Sequence, residues 1–268
     1  MTTQTIAAPA GRRDHDEGPP AARLPGLTVV LPCFDEAPNI AAAIDDARSA
    51  AARSAEEHEI VVVDDGSSDG TAEIARDVAR DVPHVVVVQH GQNRGYGAAF
   101  VSGLRAARMP WVLLTDADLQ FDLNQLDQFV PLTAEADFLL GWRIHRQDPM
   151  RRRVNAAAWN WLVRRTFDLR VRDVDCAFKL IRRDAVAGVP LTSSGAMIST
   201  ELLVRARARG ARVRELGVEH RPRVAGEQSG ADLRVVLRAF RELRRLRADL
   251  RGPADRPAVA SPITPAAT

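Results

Sequence analysis

The chain has 268 residues, 46% of them hydrophobic, which is enough to bury the core of one large domain or two small ones. Its 37 basic and 35 acidic residues nearly cancel, and this near-neutral balance speaks against a nucleic-acid-binding module. Two widely separated cysteines are too few for a disulfide scaffold and lack the spacing of a zinc site, so we expect a reducing, cytoplasmic setting.

Both ends of the chain are rich in Ala, Pro and charge and lack a periodic apolar pattern. We predict disordered tails over residues 1–25 and 252–268, with a single folded domain over 26–251 between them. The N-terminus lacks the apolar region of a signal peptide, and no apolar run approaches the roughly 18 residues of a membrane span. Peripheral binding to the inner face of the cell membrane stays open.

Between the tails, short apolar runs alternate with helical patterns, which predicts parallel strands covered on both faces by helices. The predicted strands are 27–31, 59–63, 85–88, 111–114 and 138–140, and the predicted helices are 40–53, 71–80, 98–107, 154–165 and 233–250. The fold class is therefore α/β with a doubly wound, mostly parallel sheet. Ligands of such sheets lie beyond the carboxyl ends of the strands.

Polar segments follow the first four predicted strands. They read PCFDEAP (32–38), DDGSSDG (64–70), QHGQNRGYG (89–97) and DADLQ (116–120). Because the carboxyl ends of parallel strands share one edge, we expect these segments to lie together. No G-x-G-x-x-G follows the first strand, which argues against a dehydrogenase-type dinucleotide fold.

Two of these segments have a structural and a functional interpretation. Asp64 and Asp65 end a buried strand, where a carboxylate can accept hydrogen bonds from a nucleoside, although Ser68 or Asp69 could also cap the next helix. Gly95 lies in a glycine turn before a helix. That turn either caps the helix or lets the phosphates of a nucleotide approach its N-terminus.

The D-x-D segment suggests a metal site. If the backbone is extended, Asp116, Asp118 and Gln120 face the same way and can converge on one ion. Oxygen-only ligands suit Mg²⁺ or Mn²⁺, which share their coordination shell with substrate phosphates. The structural alternative is helix capping by Asp118 or Asp122.

Arginine-rich segments in the second half of the chain suggest phosphate or membrane binding. Arg143 follows a predicted strand and should point to the same edge as the D-x-D segment. The 154–165 helix contains Trp159 and Trp161, and the amphipathic 233–250 helix is rich in arginine. The first helix either packs in the core or lies at a membrane interface. The second helix packs on the domain, dimerises or lies on an anionic lipid surface, and packing is the default. The loop at 220–230 is either a linker or a mobile lid that carries Arg221 or Arg223 over an anionic ligand.

Together these motifs resemble the family 2 glycosyltransferases of the Rossmann-like GT-A fold, and most closely the branch similar to dolichol-phosphate mannosyltransferase, the polyprenyl-phosphate sugar synthases. The resemblance runs from about residue 27 to 238. It rests on LPCFDEAPNI, VVDDGSSDGT, NRGYGAA, TDADLQ, GWR, VRDVDCAFKLIRR, STELLVRARARG and the loop at 223–229.

The resemblance implies a role for each matching residue. Pro32, Phe34, Glu36, Asp64 and Asp65 would hold the nucleoside of a UDP- or GDP-sugar, with Asp116 at its diphosphate. Asp116, Asp118 and Gln120 would bind Mg²⁺ or Mn²⁺, and Arg143, Arg152 and Arg223 would bind phosphates of donor or acceptor. Asp173 matches an aspartate considered as base or sugar-binding group, and Glu201 matches an acidic helix position. Asp173 and Asp118 are the predicted catalytic residues.

The sequence departs from the family pattern in two places. Cys176-Ala-Phe178 stands where many members have Ser-Gly-Phe, and the last loop has Gly226-Glu-Gln-Ser instead of Gly-Glu-Ser. The acceptor motif of polysaccharide synthases and the C-terminal membrane helices of some relatives are missing.

We therefore expect a metal-dependent, inverting transferase that uses a polyprenyl phosphate acceptor at the cytoplasmic membrane face and no nucleic acid. Transfer to a soluble or glycan acceptor is the alternative within the class. A nucleotidyltransferase and a non-catalytic nucleotide-binding module are the alternatives outside it.

Overall fold

The structure is a computed structural model that describes residues 22–144, 150–222 and 233–250. The predicted tails therefore lie almost wholly outside the described residues. The first strand begins at Leu24, two residues before the boundary at which we expected the domain to start.

Seven strands and seven α-helices make up the described chain, with three short 3₁₀ turns. The strands are β1 (Leu24–Cys33), β2 (Ala55–Asp64), β3 (Val85–Gln89), β4 (Trp111–Leu114), β5 (Phe138–Arg143), β6 (Lys179–Arg182) and β7 (Val213–Val218). The helices are α1 (Ile40–Ser54), α2 (Thr71–Asp81), α3 (Tyr96–Ala106), α4 (Leu126–Phe129), α5 (Met150–Phe167), α6 (Met197–Ala208) and α7 (Leu233–Asp249). The 3₁₀ turns are Leu123–Gln125, Val130–Ala134 and Arg183–Val186.

The seven strands form one sheet in the order β3-β2-β1-β4-β6-β5-β7. All neighbours pair in parallel except at β6, which runs antiparallel to both β4 and β5. This arrangement confirms the predicted α/β fold with a mostly parallel sheet. Strands β6 and β7 were not predicted, because each is a short run interrupted by charged residues.

The two faces of the sheet are buried against different helices, as continuous apolar strands require. On one face, Val29 and Leu31 of β1 join a core that contains Ile40 and Ile44 of α1. On the other face, Val30 joins a core formed largely by α3 and α6. Helix α3 approaches closely, since a Cβ at Gly103 would lie 2.2 Å from Val30 Cγ1.

The two helices considered for a membrane surface pack in part on the domain. Leu243 and Leu246 of α7 are buried in the second core, and the ring of Phe240 meets Trp159 of α5 edge-on at 5.8 Å. Trp161 remains 61% exposed and Phe240 41% exposed. Among the described residues, no helix is long and apolar enough to cross a membrane.

Candidate active site

The carboxyl ends of β1 and β2 lead into two loops that hydrogen-bond to each other. The Asp35 N–H donates to Ser67 Oγ at 2.9 Å, and the Ser68 N–H donates back to the Asp35 carboxylate at 2.9 Å. Asp69 accepts from the N–H groups of Ala37 and Thr71, at 2.9 and 3.0 Å. The N-cap of α2 is Gly70 rather than Ser68 or Asp69, but the Asp69 carboxylate binds the first N–H of the helix from the position before it.

The adjacent carboxylates of Asp64 and Asp65 have different partners. Asp64 is fully buried, and its Oδ1 accepts from the Ser67 N–H at 3.3 Å while its Oδ2 has no hydrogen-bond partner. Asp65 uses both oxygens within the protein, because it accepts from the N–H groups of Arg94 and Gly95 at 3.0 and 2.7 Å. Asp64 thus has one buried oxygen without a hydrogen-bond partner, whereas Asp65 holds the loop that precedes α3.

His90, which the sequence analysis missed, completes this arrangement. Its Nδ1 lies 2.6 Å from Asp65 Oδ1, and its Nε2 lies 2.9 Å from the hydroxyl of Ser102 on α3. His90 and Asp65 are both buried. A buried charge is costly unless it is paired, so this contact stabilises the Asp65 carboxylate at the end of β2.

The backbone of a neighbouring segment leaves no room for a side chain at Gly95. Its φ is +95°, a value that favours glycine, and an added Cβ would lie 2.6 Å from the carbonyl oxygen of Ser194. The same carbonyl accepts the Gly97 N–H at 2.9 Å. Glu201 on α6, 1% exposed, holds this segment by accepting the Ser193 N–H at 2.7 Å.

The remaining residues predicted for the nucleoside lie in and after β1. Pro32 is buried in the strand beside Val63, and Phe34 is 42% exposed just beyond it. Glu36 is buried, and its carboxylate accepts from the Asn39 side chain at 2.7 Å. These three residues thus lie on the same sheet edge as Asp64.

The D-x-D segment is not extended, contrary to our expectation. Strand β4 ends at Leu114, and residues 117–119 form a turn in which Leu119 has a φ of +60°. Gln120 donates its N–H to Asp118 Oδ1 at 3.2 Å and its side-chain amide to the Arg221 carbonyl at 3.1 Å. The alternation of side chains along a strand therefore does not align the three predicted ligands. Their relative positions are set by the turn instead.

The charge of Lys179 and a hydrogen bond from Tyr96 partly stabilise the Asp116 carboxylate. Burial raises the pKa of the Asp116 carboxyl, whereas the charge of Lys179 and a hydrogen bond from Tyr96 act to lower it. Burial lowers the pKa of the Lys179 ammonium, whereas the charges of Cys176, Asp175 and Asp116 act to raise it. Lys179 reaches this edge because β6 is antiparallel, which places its first residue opposite Leu114.

Arg143 ends β5 at this edge, as predicted, but it pairs with Asp173. Its Nε and Nη2 donate to the two oxygens of Asp173 at 2.7 and 2.9 Å, and both side chains are largely buried. Burial acts to lower the pKa of the guanidinium, but the hydrogen bonds and charge of Asp173 outweigh it and raise the pKa. The side chain of Arg152 and the whole of Arg223 lie outside the described residues.

Comparison with known proteins identifies the family. The model of Glycosyl transferase family 2 matches residues 28–188, more than half of the chain. An uncharacterized glycosyltransferase of Mycobacterium tuberculosis is 34% identical over 207 residues, which cover 75% of this chain and 88% of that relative. The chain belongs to the family 2 glycosyltransferases. This result confirms the predicted resemblance and decides against a nucleotidyltransferase or a non-catalytic module.

A second glycosyltransferase relative carries a more specific name. An undecaprenyl-phosphate 4-deoxy-4-formamido-L-arabinose transferase of Pectobacterium carotovorum is 29% identical over 165 residues, or 61% of this chain. The match spans only half the length of that relative.

Solved glycosyltransferase structures share the fold. Glucosyl-3-phosphoglycerate synthase of Mycobacterium tuberculosis, in complex with UDP, has a TM-score of 0.59 at 22% identity, over 84% of this chain and 79% of its own. A mannosyltransferase of Pyrobaculum calidifontis, in complex with GDP-mannose and Mn²⁺, has a TM-score of 0.59 at 20% identity, over 86% of this chain and 67% of its own. These neighbours confirm the GT-A fold.

The residues of this glycosyltransferase fit a divalent cation in their donor chemistry. Asp116 Oδ1 is buried without a hydrogen-bond partner, which is costly unless a cation or donor compensates it. The described residues contain no cluster of three or more His, Cys, Asp or Glu side chains that could hold a metal by themselves. Two carboxylates with an amide oxygen suit an ion that completes its shell with substrate phosphates.

Proposed function

We propose that this enzyme transfers a sugar, with inversion, from a nucleoside-diphosphate sugar to a polyprenyl phosphate. The observation that carries the proposal is the partnerless Asp116 oxygen, on the same edge as the partnerless Asp64 oxygen. One atom suits a metal-bound diphosphate and the other a nucleoside. The undecaprenyl-phosphate transferase relative supports a lipid phosphate as the acceptor.

In the proposed donor complex, Asp64 accepts hydrogen bonds from the nucleoside, with Pro32, Phe34 and Glu36 beside it. Asp116, Asp118 and Gln120 would hold Mg²⁺ or Mn²⁺, and the bound ion would neutralise the charge of the departing diphosphate. Mn²⁺ in the neighbouring structure with GDP-mannose supports this assignment.

The proposed reaction replaces one bond at the anomeric carbon with another. An oxygen of the acceptor phosphate attacks that carbon, the bond to the diphosphate oxygen breaks, and the nucleoside diphosphate leaves. Because a phosphate monoester is already anionic, its attack requires charge neutralisation more than proton removal. Arg143, together with Arg152 and Arg223, supplies positive charge for this purpose.

Helix α7 offers a surface for the membrane that contains such an acceptor. Four arginines on its outer side are exposed and form no ion pair within the described part of the chain: Arg241, Arg244, Arg245 and Arg247. Exposed aromatic rings occur on α5 and α7, at Trp161 and Phe240. Arginines near an anionic bilayer contribute about 1 kcal/mol each, so we propose peripheral binding at the cytoplasmic membrane face.

The test is transfer of label from UDP- and GDP-sugars to undecaprenyl phosphate in vesicles, with Mn²⁺ or Mg²⁺. We expect labelled product in the organic phase, and we expect Asp118→Asn to reduce its rate by at least about 100-fold. Transfer to 3-phosphoglycerate but not to the lipid would refute the lipid acceptor. That outcome would favour the soluble alternative, which the neighbouring synthase represents.

A separate flotation assay tests the membrane proposal. Replacing all four outer arginines of α7 with glutamine should release the protein from anionic vesicles. A control variant replaces three arginines that pair with acidic neighbours on α1 and α2, namely Arg48, Arg76 and Arg80, with glutamine. It should float like the wild type, as should a variant of Arg241 alone.

A further inference from the structure

Asp173 uses both of its oxygens to hold one edge of the Arg143 guanidinium. The two hydrogen bonds, of 2.7 and 2.9 Å, join it to Nε and Nη2, and the side chains are only 8% and 14% exposed. A paired fork of this kind fixes the plane of an arginine as well as its position. It leaves the two N–H groups of Nη1 for another anion.

The backbone around Asp173 is itself fixed by buried groups. Glu215 on β7 accepts the Arg172 N–H at 2.7 Å and also a hydrogen bond from the backbone of Asp173. The next N–H, of Val174, donates to the side chain of Asn160 on α5 at 3.1 Å. Asp173 is therefore a rigid support for an arginine that would otherwise sample many rotamers.

Arg143 is placed to act at the reaction edge. It ends β5, and its charge acts on Asp116. For Asp173 to take a proton in the reaction, it would have to weaken two charge-assisted hydrogen bonds in a largely buried site. An acceptor phosphate offers it no proton that must be removed.

We propose that Asp173 is a positioning residue that orients Arg143 toward the acceptor phosphate, and is not the catalytic base. This inference rests on the proposed transfer to a phosphate acceptor. It assigns Asp173 a role that acts through Arg143, so the two residues function as one unit.

The experiment compares Asp173→Asn, Arg143→Gln and the double variant in the lipid transfer assay across pH. Asparagine keeps one acceptor oxygen for Arg143, so we expect kcat/KM for the acceptor to fall about 10- to 100-fold, mostly through KM. The pH profile should keep its wild-type shape, and the double variant should be no worse than Arg143→Gln alone. A loss of kcat above about 1000-fold with an altered profile, or losses that multiply, would overturn the proposal.

Asp137→Asn is the matched control. Asp137 is also largely buried and arginine-paired, with Arg182 and Arg212, but it lies just before the other end of β5. Its variant should lose stability and keep the wild-type acceptor KM.

A binding measurement separates this inference from the proposed function. If the wild type transfers nothing to the lipid, the proposed function fails. Calorimetric titration with citronellyl phosphate, in the presence of Mn²⁺ and UDP or GDP, still tests the positioning role. Asp173→Asn and Arg143→Gln should then weaken binding of this prenyl phosphate by similar factors. Unchanged binding in Asp173→Asn would count against the role.

Discussion

Asp65 and His90 form a buried hydrogen bond in which the carboxylate Oδ1 lies 2.6 Å from the imidazole Nδ1. The same carboxylate holds the N–H groups of Arg94 and Gly95, and the imidazole reaches Ser102 on α3. His90, Arg94 and Gly95, which follow Asp65 by 25 to 30 positions in the chain, thus meet at its carboxylate. These contacts fix the loop beside the proposed nucleotide site.

His90→Ala should weaken nucleotide binding even though His90 is buried. Its loss removes a hydrogen bond to a charged group, worth about 1.5–3 kcal/mol, and frees Asp65 to release the loop. We expect the Kd for UDP or GDP, measured calorimetrically with Mn²⁺, to rise about tenfold or more. Ser102→Ala removes only the outer contact and should have a smaller effect. Wild-type affinity in a folded His90→Ala protein would contradict this role.

Glu242 connects α7 to the same loop. Its Oε1 accepts from the N–H and the hydroxyl of Ser194, at 3.1 and 3.2 Å, and the Ser194 carbonyl accepts the Gly97 N–H. Glu242→Gln should loosen this connection, because an amide oxygen is a weaker acceptor than a carboxylate.

Hydrogen exchange should measure the effect of Glu242→Gln. We expect the amides of residues 95–98 to exchange faster by about tenfold, with a several-fold weaker affinity for the nucleotide. Arg241→Gln, an exposed change on the same helix, is the control. Equal protection in both variants would show that α7 does not support the loop.

The sequence predicts the sheet and its functional edge because parallel strands bring their carboxyl ends together. Strand β6 was missed, since four residues within a charged segment carry no clear period. That omission also concealed Lys179, which only an antiparallel strand brings beside Asp116. The single lysine among 37 basic residues was a compositional signal that could have drawn attention to it.

Partners within the site could not be predicted from local sequence. The carboxylates of Asp64 and Asp65 are adjacent in the chain. Only the packing of a distant loop determines that Asp65 has partners for both oxygens, whereas Asp64 has one buried oxygen without a hydrogen-bond partner. The turn at Leu119 was likewise unexpected, because a left-handed leucine is rare and no glycine marks it.

Glu59 should make stability depend on pH. Burial would raise its pKa, but hydrogen bonds from Thr28 and Arg108 outweigh burial and hold the pKa below the usual 4.5. A carboxyl with a lowered pKa in the folded state stabilises the protein above the unfolded pKa, and this contribution is lost as pH falls through the folded pKa.

Urea unfolding of Glu59→Gln isolates this contribution. At pH 7 the variant should be less stable than the wild type by about 1–3 kcal/mol, because it loses the charged acceptor for the Thr28 hydroxyl and Arg108. The difference should shrink as the pH falls below 4.5. A difference that stays constant between pH 7 and 3.5 would exclude the carboxylate charge as its cause.

Lys179 supplies positive charge to the partly buried carboxylates at the D-x-D edge. It is 3% exposed, and its charge acts on Asp116 and Asp175. Lys179→Met keeps the apolar length of the side chain but removes the charge. Because an uncompensated buried charge costs about 3–5 kcal/mol, the variant should have a correspondingly lower free energy of unfolding at pH 7.

Mn²⁺ should restore part of this loss if the same carboxylates bind the metal. Without the lysine charge they attract a cation more strongly, and a ligand that binds only the folded state stabilises it by RT ln(1 + [L]/Kd). We therefore expect added Mn²⁺ to raise the Tm of Lys179→Met more than that of the wild type. Adding Asp118→Asn to Lys179→Met should abolish the extra gain in Tm, because it removes a proposed metal ligand and does not alter the surroundings of residue 179. An equal Tm gain in all three proteins would place the Mn²⁺ elsewhere, and Lys179 would then be only a structural counter-charge.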